Sequence, residues 1–126
     1  MQRVRGIGGI FFKAKDPAAL SAWYRDRLGV PVEDWGGASF VADGGHAIWN
    51  PFKADTTYFA PSTASFMLNF RVDDLAAMLA QLREAGAEVM PGVEESEFGK
   101  FGWVMDPEGN KVELWEPKIW DDKNKR

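Results

Sequence analysis

The sequence predicts an α+β domain in which one supersecondary unit is used twice, and three observations predict it. Two capped helices recur 57 residues apart, each running 13 residues from cap to closing glycine: Asp16 to Gly29, then Asp73 to Gly86. A strand-like stretch precedes each helix, Ile7 to Lys13 and Phe66 to Val72. The chain then runs into a strongly marked β-hairpin from Phe101 to Pro117. A pattern of elements that repeats with little residue identity is the mark of a doubled module.

The first module reads element by element. Ile7 to Lys13 is a strand, and Asp16-Pro17 supplies a capping carboxylate followed by proline at the first helical position. Leu20, Trp23, Tyr24 and Leu28 follow at helical spacing, which predicts their burial, and Gly29 closes the helix. Pro31–Glu33, Ala38–Ala42 and His46–Pro51 read as three short strands, separated by Gly36-Gly37 and by Asp43-Gly44-Gly45. The polar stretch from Phe52 to Ser65, with Pro61, reads as the linker between halves, centred on about 53–64.

The second module restarts the pattern. Phe66, Leu68, Phe70 and Val72 alternate with Met67, Asn69 and Arg71, as in a half-buried strand. Asp73 or Asp74 caps a helix whose apolar stripe is Leu75, Met78, Leu79 and Leu82, and Gly86 ends it. Ala87 to Met90 reads as a strand. In the final hairpin the turn is Asp106-Pro107-Glu108-Gly109-Asn110, where Pro107 pre-sets φ and Gly109 permits φ > 0. Lys111 to Trp115 then alternates, with Val112 and Leu114 on one face and Lys111, Glu113 and Trp115 on the other. One domain over residues 1–117 follows, with module one at about 6–52, module two at about 65–117, and a charged tail at 118–126 that frays beyond Trp120.

Composition narrows the function classes. A chain of 126 residues with 45% hydrophobic content is long enough to bury a core of its own. A formal net charge of −4 and a pI near 5.0 argue against a nucleic-acid partner and permit a neutral or cationic small ligand. Without cysteine there is neither a disulfide framework nor a thiolate metal site. No apolar run approaches the ~18 residues of a membrane span, and MQRVRGIGG lacks the apolar core of a signal peptide. A soluble, cytoplasmic protein is the expectation.

The hairpin motif D-P-E-G-N-K-V-E-L, Asp106 to Leu114, resembles the closing hairpin of the vicinal oxygen chelate (VOC) superfamily, the glyoxalase and bleomycin-resistance proteins. With the doubled module, the resemblance covers about residues 7 to 117. It implies two β-α-β-β-β modules that form a curled mixed sheet, helices on one face and a cleft on the other. It also implies a homodimer, with modules from two chains completing each cleft. Metal-dependent relatives place histidines on the opening strands and glutamates on the closing strands. Here those positions fall on Gly9, Trp49, Met67 and Glu113, and only Glu113 matches. His46 is the sole histidine, so a two-histidine site within one protomer is impossible. No cofactor is expected, since one carboxylate is a poor ligand set for a divalent metal.

On that frame, alternation puts Ile10, Phe12, Ile48, Phe66, Leu68, Phe70, Val112 and Leu114 on the helix side. It puts Phe11, Trp49, Met67, Asn69, Arg71, Lys111, Glu113 and Trp115 on the cleft side. His46, of opposite parity to Trp49, points away from the cleft or lies at its rim. Trp23 and Trp103 read as packing, whereas Trp49 and Trp115 read as aromatic walls of a small-molecule pocket. Arg71 offers a planar donor. Glu113 is open between a polar anchor paired with Lys111 or Arg71 and a catalytic base or vestigial ligand. Two functions follow: a bleomycin-resistance-type protein that binds a planar small molecule without chemistry, which the missing ligands favour, or a VOC-type lyase, isomerase or dioxygenase. In the second, Glu113 is the base or part of an atypical metal site. Whether Tyr58 and Phe59 close over the cleft is open at this level.

Overall fold

The central strand β1, Val4–Ala14, is the seam on which both modules are built, and the computed structural model describes residues 1–42 and 45–118. The chain continues as α1 (Pro17–Leu28), β2 (Ala38–Ala42), β3 (Gly45–Lys53) and β4 (Phe66–Val72). It then forms α2 (Leu75–Glu84), β5 (Glu88–Val89), β6 (Glu94–Ser96), β7 (Gly99–Met105) and β8 (Lys111–Pro117). Both helices start as their caps dictate. The Asp16 carboxylate accepts from the Ala19 amide at 3.1 Å, and Asp74, rather than Asp73, accepts from Ala77 at 3.0 Å. Gly29, at φ +70°, and Gly86, at φ +84°, turn the chain out of each helix in the left-handed region.

The strands form one mixed sheet in the order β2-β3-β1-β4-β8-β7-β5, with β6 paired to β7. Each module carries the same wiring: its opening strand pairs parallel with its closing strand, β1 with β3 and β4 with β8. An antiparallel neighbour follows in each, β2 on β3 and β7 on β8. The modules join where β1 runs antiparallel to β4. Within this chain the inner face therefore runs continuously from module one to module two. The α+β doubled-module architecture is as predicted. Among the described residues no helix is long and apolar enough to cross a membrane.

Three local expectations are corrected. Pro31–Glu33 is not a strand: only Val32 bridges Ala38, because Val32 and Glu33 spend their amides on the carbonyls of Val30 and Gly37 in a local turn. The strand predicted at Ala87–Met90 shortens to Glu88–Val89. The short β6, all exposed polar residues, carries no alternation that would announce it. The turn at 43–44 and the tail at 119–126 lie outside the described residues.

Burial is uneven across the outer, helix-bearing face. Leu75, Met78 and Leu79 of α2 pack on Val72, Val104 and Leu114 to form a closed core. The α1 helix seats less deeply: its buried residue is Ser21, whose hydroxyl donates to the Gly36 carbonyl at 2.6 Å. The reading of Trp23 as core is overturned, for it is 51% exposed, and Leu28 is exposed as well. The face α1 turns to the sheet is that of Ser21 and Tyr24, about one residue round from the predicted stripe. The inner face holds a second cluster of Phe11, Phe59, Met67 and Trp103.

Candidate functional site

Glu113 sits at the centre of the inner face, and the sheet register explains why. On β8 it lies opposite Asn69 of β4 and Trp103 of β7, and register partners share a face. Its side chain is 1% exposed. Three donors satisfy it. Oε1 accepts from the Trp103 indole N–H at 3.0 Å and from the Tyr58 hydroxyl, and Oε2 accepts from the Asn69 amide at 2.5 Å. Gly8 on β1 lets Asn69 stand there, since a β-carbon on Gly8 would come within 2.1 Å of the Asn69 carbonyl oxygen.

Tyr58 arrives from the linker, which folds back into the cleft rather than bridging the modules from outside. Its ring stacks on Phe52 at 5.5 Å and 14°, and meets Trp103 edge-on at 6.1 Å and 87°. Phe59, fully buried, wedges beside it against Phe52 and into the cluster of Phe11 and Met67. The Lys111 ammonium donates to the Tyr58 carbonyl at 2.7 Å and stands 5.3 Å from both the Tyr58 and Trp103 rings. The linker thus closes the cleft with its own aromatic side chains.

Charge in this site is set by burial. Loss of water pushes the Glu113 carboxyl up from its ordinary value; the hydrogen bonds from Tyr58, Asn69 and Trp103 and the Lys111 charge oppose that rise. The Tyr58 hydroxyl is pushed up by burial and by the Glu113 charge, so it remains a donor. Burial pulls the Lys111 ammonium down, against the attraction of Glu113.

A metal does not fit these residues. Both Glu113 oxygens point at hydrogens of N–H and O–H donors, and an indole N–H or an amide nitrogen is no ligand for a cation. At Gly9 a β-carbon would lie 2.8 Å from the Phe11 ring and 3.0 Å from the Ile48 carbonyl oxygen, so a side chain there would have to displace the Phe11 ring. Met67 is fully buried in the aromatic cluster. Among the described residues no three His, Cys, Asp or Glu side chains gather.

The structure brings together Glu113, Asn69, Met67, Phe11 and Lys111 as the alternation predicts. Trp49 is corrected. Its ring packs on Tyr24 of α1 at 4.8 Å and on Phe12 at 5.5 Å, so it belongs to the outer face, and Ile48 takes the inner one. Both parities of β3 carry large apolar residues, Trp49 on one and Ile48 and Phe52 on the other, so alternation could not decide between them. His46 shares the parity of Ile48 and so stands on the inner face, hydrogen-bonded through Nδ1 to the Ser39 hydroxyl at 2.6 Å. Arg71 and Trp115 lie on the inner face but do other work. Arg71, 5% exposed, donates through Nη1 to the carbonyls of Ile7 and His46, each at 2.7 Å, and ties β4 to β1 and β3. Trp115 donates to the Phe98 carbonyl at 2.8 Å and stacks on Phe101 at 3°. The ion-pair reading of Glu113 gives way to neutral donors. Sequence reasoning missed Trp103 and Phe52 as site residues and left open whether Tyr58 and Phe59 close over the cleft, which they do. Hairpin register could have found Trp103, directly opposite Glu113; no local signal marks Tyr58.

Residues 9–115 match the glyoxalase-like domain family. The chain belongs to that family. This glyoxalase-like domain shares its fold with a methylmalonyl-CoA epimerase in complex with methylmalonyl-CoA, at 17% identity and TM-score 0.73, over 94% of this chain and 99% of that one. The methylmalonyl-CoA epimerase of Mycobacterium tuberculosis aligns at 20% identity and TM-score 0.62, over 93% and 91%. A glyoxalase/bleomycin resistance protein/dioxygenase superfamily member from Vibrio splendidus 12B01 aligns at 16% and TM-score 0.59, over 92% and 99%. At such identities the likeness is one of fold. No curated protein matches the chain.

Proposed function

We propose that this glyoxalase-like domain binds a small, planar organic molecule on the inner face of its sheet, without a metal, using Glu113 as polar anchor. The observation that carries the reading is a fully buried carboxylate, held by three neutral donors, inside walls of Phe52, Trp103 and Phe11. Aromatic walls with a few fixed polar groups are the chemistry of a small-molecule pocket. Entry requires the Tyr58 ring to swing out while Phe59 stays seated. Native mass spectrometry of protein purified without chelator tests this. The expected result is a retained organic adduct that Glu113→Gln weakens; a stoichiometric metal ion in its place overturns the reading.

A second reading, a metal-free isomerase or lyase with Glu113 as base, draws support from the raised carboxyl and from neighbours named as methylmalonyl-CoA epimerase. It predicts that Glu113→Gln abolishes turnover and keeps affinity, whereas an anchor loses affinity. The homodimer is likewise a proposal. Ile7, Ile10 and Phe66 leave an uncharged stripe, 41–49% exposed, at the middle of the outer face. A twofold axis through the stripe would lay it against its own copy.

A further inference from the structure

Resting on the reading of the inner face as a ligand site, we infer that the occupant is a neutral para-substituted phenol, with Tyr58 serving as its stand-in when the site is closed. The phenol ring of Tyr58 already engages the carboxylate, both aromatic walls and the ammonium of the pocket. Its hydroxyl donates to a buried carboxylate, its face lies parallel to Phe52 at 14°, its flank meets the edge of Trp103, and Lys111 stands 5.3 Å over it. A ring that replaces it inherits these partners.

The charges select the ligand further. Once ionised, Glu113 at the closed end repels an anionic head group such as benzoate or phenolate, a repulsion that adds to burial in keeping the Tyr58 hydroxyl protonated. Lys111 over the ring repels a cationic aromatic, while an electron-rich neutral face attracts it. With Asn69 and Trp103 fixed as donors on Glu113, the group that replaces the Tyr58 hydroxyl must also donate. A toluene-like ring would leave one acceptor position of a buried carboxylate without its third donor. Size and direction come from the linker. Phe59 is fully buried and stays, whereas Tyr58 is only partly buried, so the vacated space is that of a single ring. In tyrosine the chain leaves the ring para to the hydroxyl, which makes the para position the one that faces the mouth.

The test is calorimetric titration of p-cresol, toluene, 4-methylbenzoate and benzylammonium into the wild type, Tyr58→Ala and Tyr58→Phe, with circular dichroism to confirm folding. Tyr58→Ala is expected to bind p-cresol at least tenfold tighter than the wild type, at least tenfold tighter than toluene, and neither charged probe. Equal binding of toluene and p-cresol, or preference for a charged probe, overturns the phenol assignment and leaves the inner face as a ligand site. No saturable binding of any probe to a folded Tyr58→Ala protein overturns both. Should Tyr58→Ala fail to fold, Tyr58→Phe decides the matter. It keeps the ring and removes the competing hydroxyl, so p-cresol affinity is expected to rise severalfold; unchanged or weaker affinity overturns the assignment.

Discussion

At the scale of single residues, Glu113 gives the sharpest expectation. Its carboxyl is held above the ordinary 4.5 by burial, against three hydrogen bonds and Lys111. The folded protein therefore keeps this proton to a higher pH than the unfolded chain does. The stability this contributes is present at acid pH and is lost as pH rises from 4.5 through the folded value, at about 1.4 kcal/mol for each unit of elevation. Glu113→Gln removes the titration. Its oxygen can keep Trp103 and Tyr58, and its amide can donate to a flipped Asn69, so the variant should fold. Melting temperatures from pH 4.5 to 8 should show the wild type losing ground to Glu113→Gln as pH rises; the opposite slope would mean that the hydrogen bonds outweigh desolvation. Trp49→Ala should behave as an outer-face truncation. It should cost about 1–3 kcal/mol in urea denaturation, below the ~3–5 of a fully buried tryptophan, and leave inner-face binding unchanged.

Among the elements, the linker and α1 exchange the roles their sequences suggest. The linker, polar and small in composition, delivers a fully buried Phe59; the helix, with aromatic residues at core spacing, leaves Trp23 half exposed. Phe59→Ala should therefore cost about 3–5 kcal/mol, as a core truncation does. Trp23→Ala should cost about 1 kcal/mol or less, in the range of exposed substitutions. Denaturant midpoints of the two variants check the order, and a larger loss for Trp23→Ala would show that α1 carries a core of its own. The hairpin, by contrast, is as local as it looks. Asp106 accepts from the amides of Glu108 and Asn110 at 2.8 and 2.9 Å, Gly109 takes φ +84°, and the strands follow in register.

For the whole molecule, the exposed apolar stripe of Ile7, Ile10 and Phe66 is the surface proposed for a second copy. Light scattering at tens of micromolar, where dimers of micromolar Kd persist, should give twice the chain mass. Ile10→Glu, at the centre of the exposed stripe, should shift it toward the monomer. A strict monomer in the wild type would refute the pairing.

The sequence by itself determined whatever depends on neighbours along the chain. Caps at Asp16 and Asp74, glycine exits, the β7–β8 turn and the period-two faces of β4 and β8 all follow from local sterics and hydrogen bonding. Because parity carries across a paired register, the sequence also placed Asn69, Met67 and Glu113 on one face. Tertiary structure alone decided three things. It turned Trp49 outward, since β3 carries large apolar residues on both faces and only its pairing of Trp49 with Ile10 selects one. It rotated α1 by about a residue, because Ser21 seats on the Gly36 carbonyl and Tyr24 on the Trp49 ring. It drove Tyr58 and Phe59 into the cleft, 55 residues along the chain from Glu113 in the case of the hydroxyl contact. That last choice rests on burying two rings and satisfying one buried carboxylate, and neither gain exists until the two modules have closed around them.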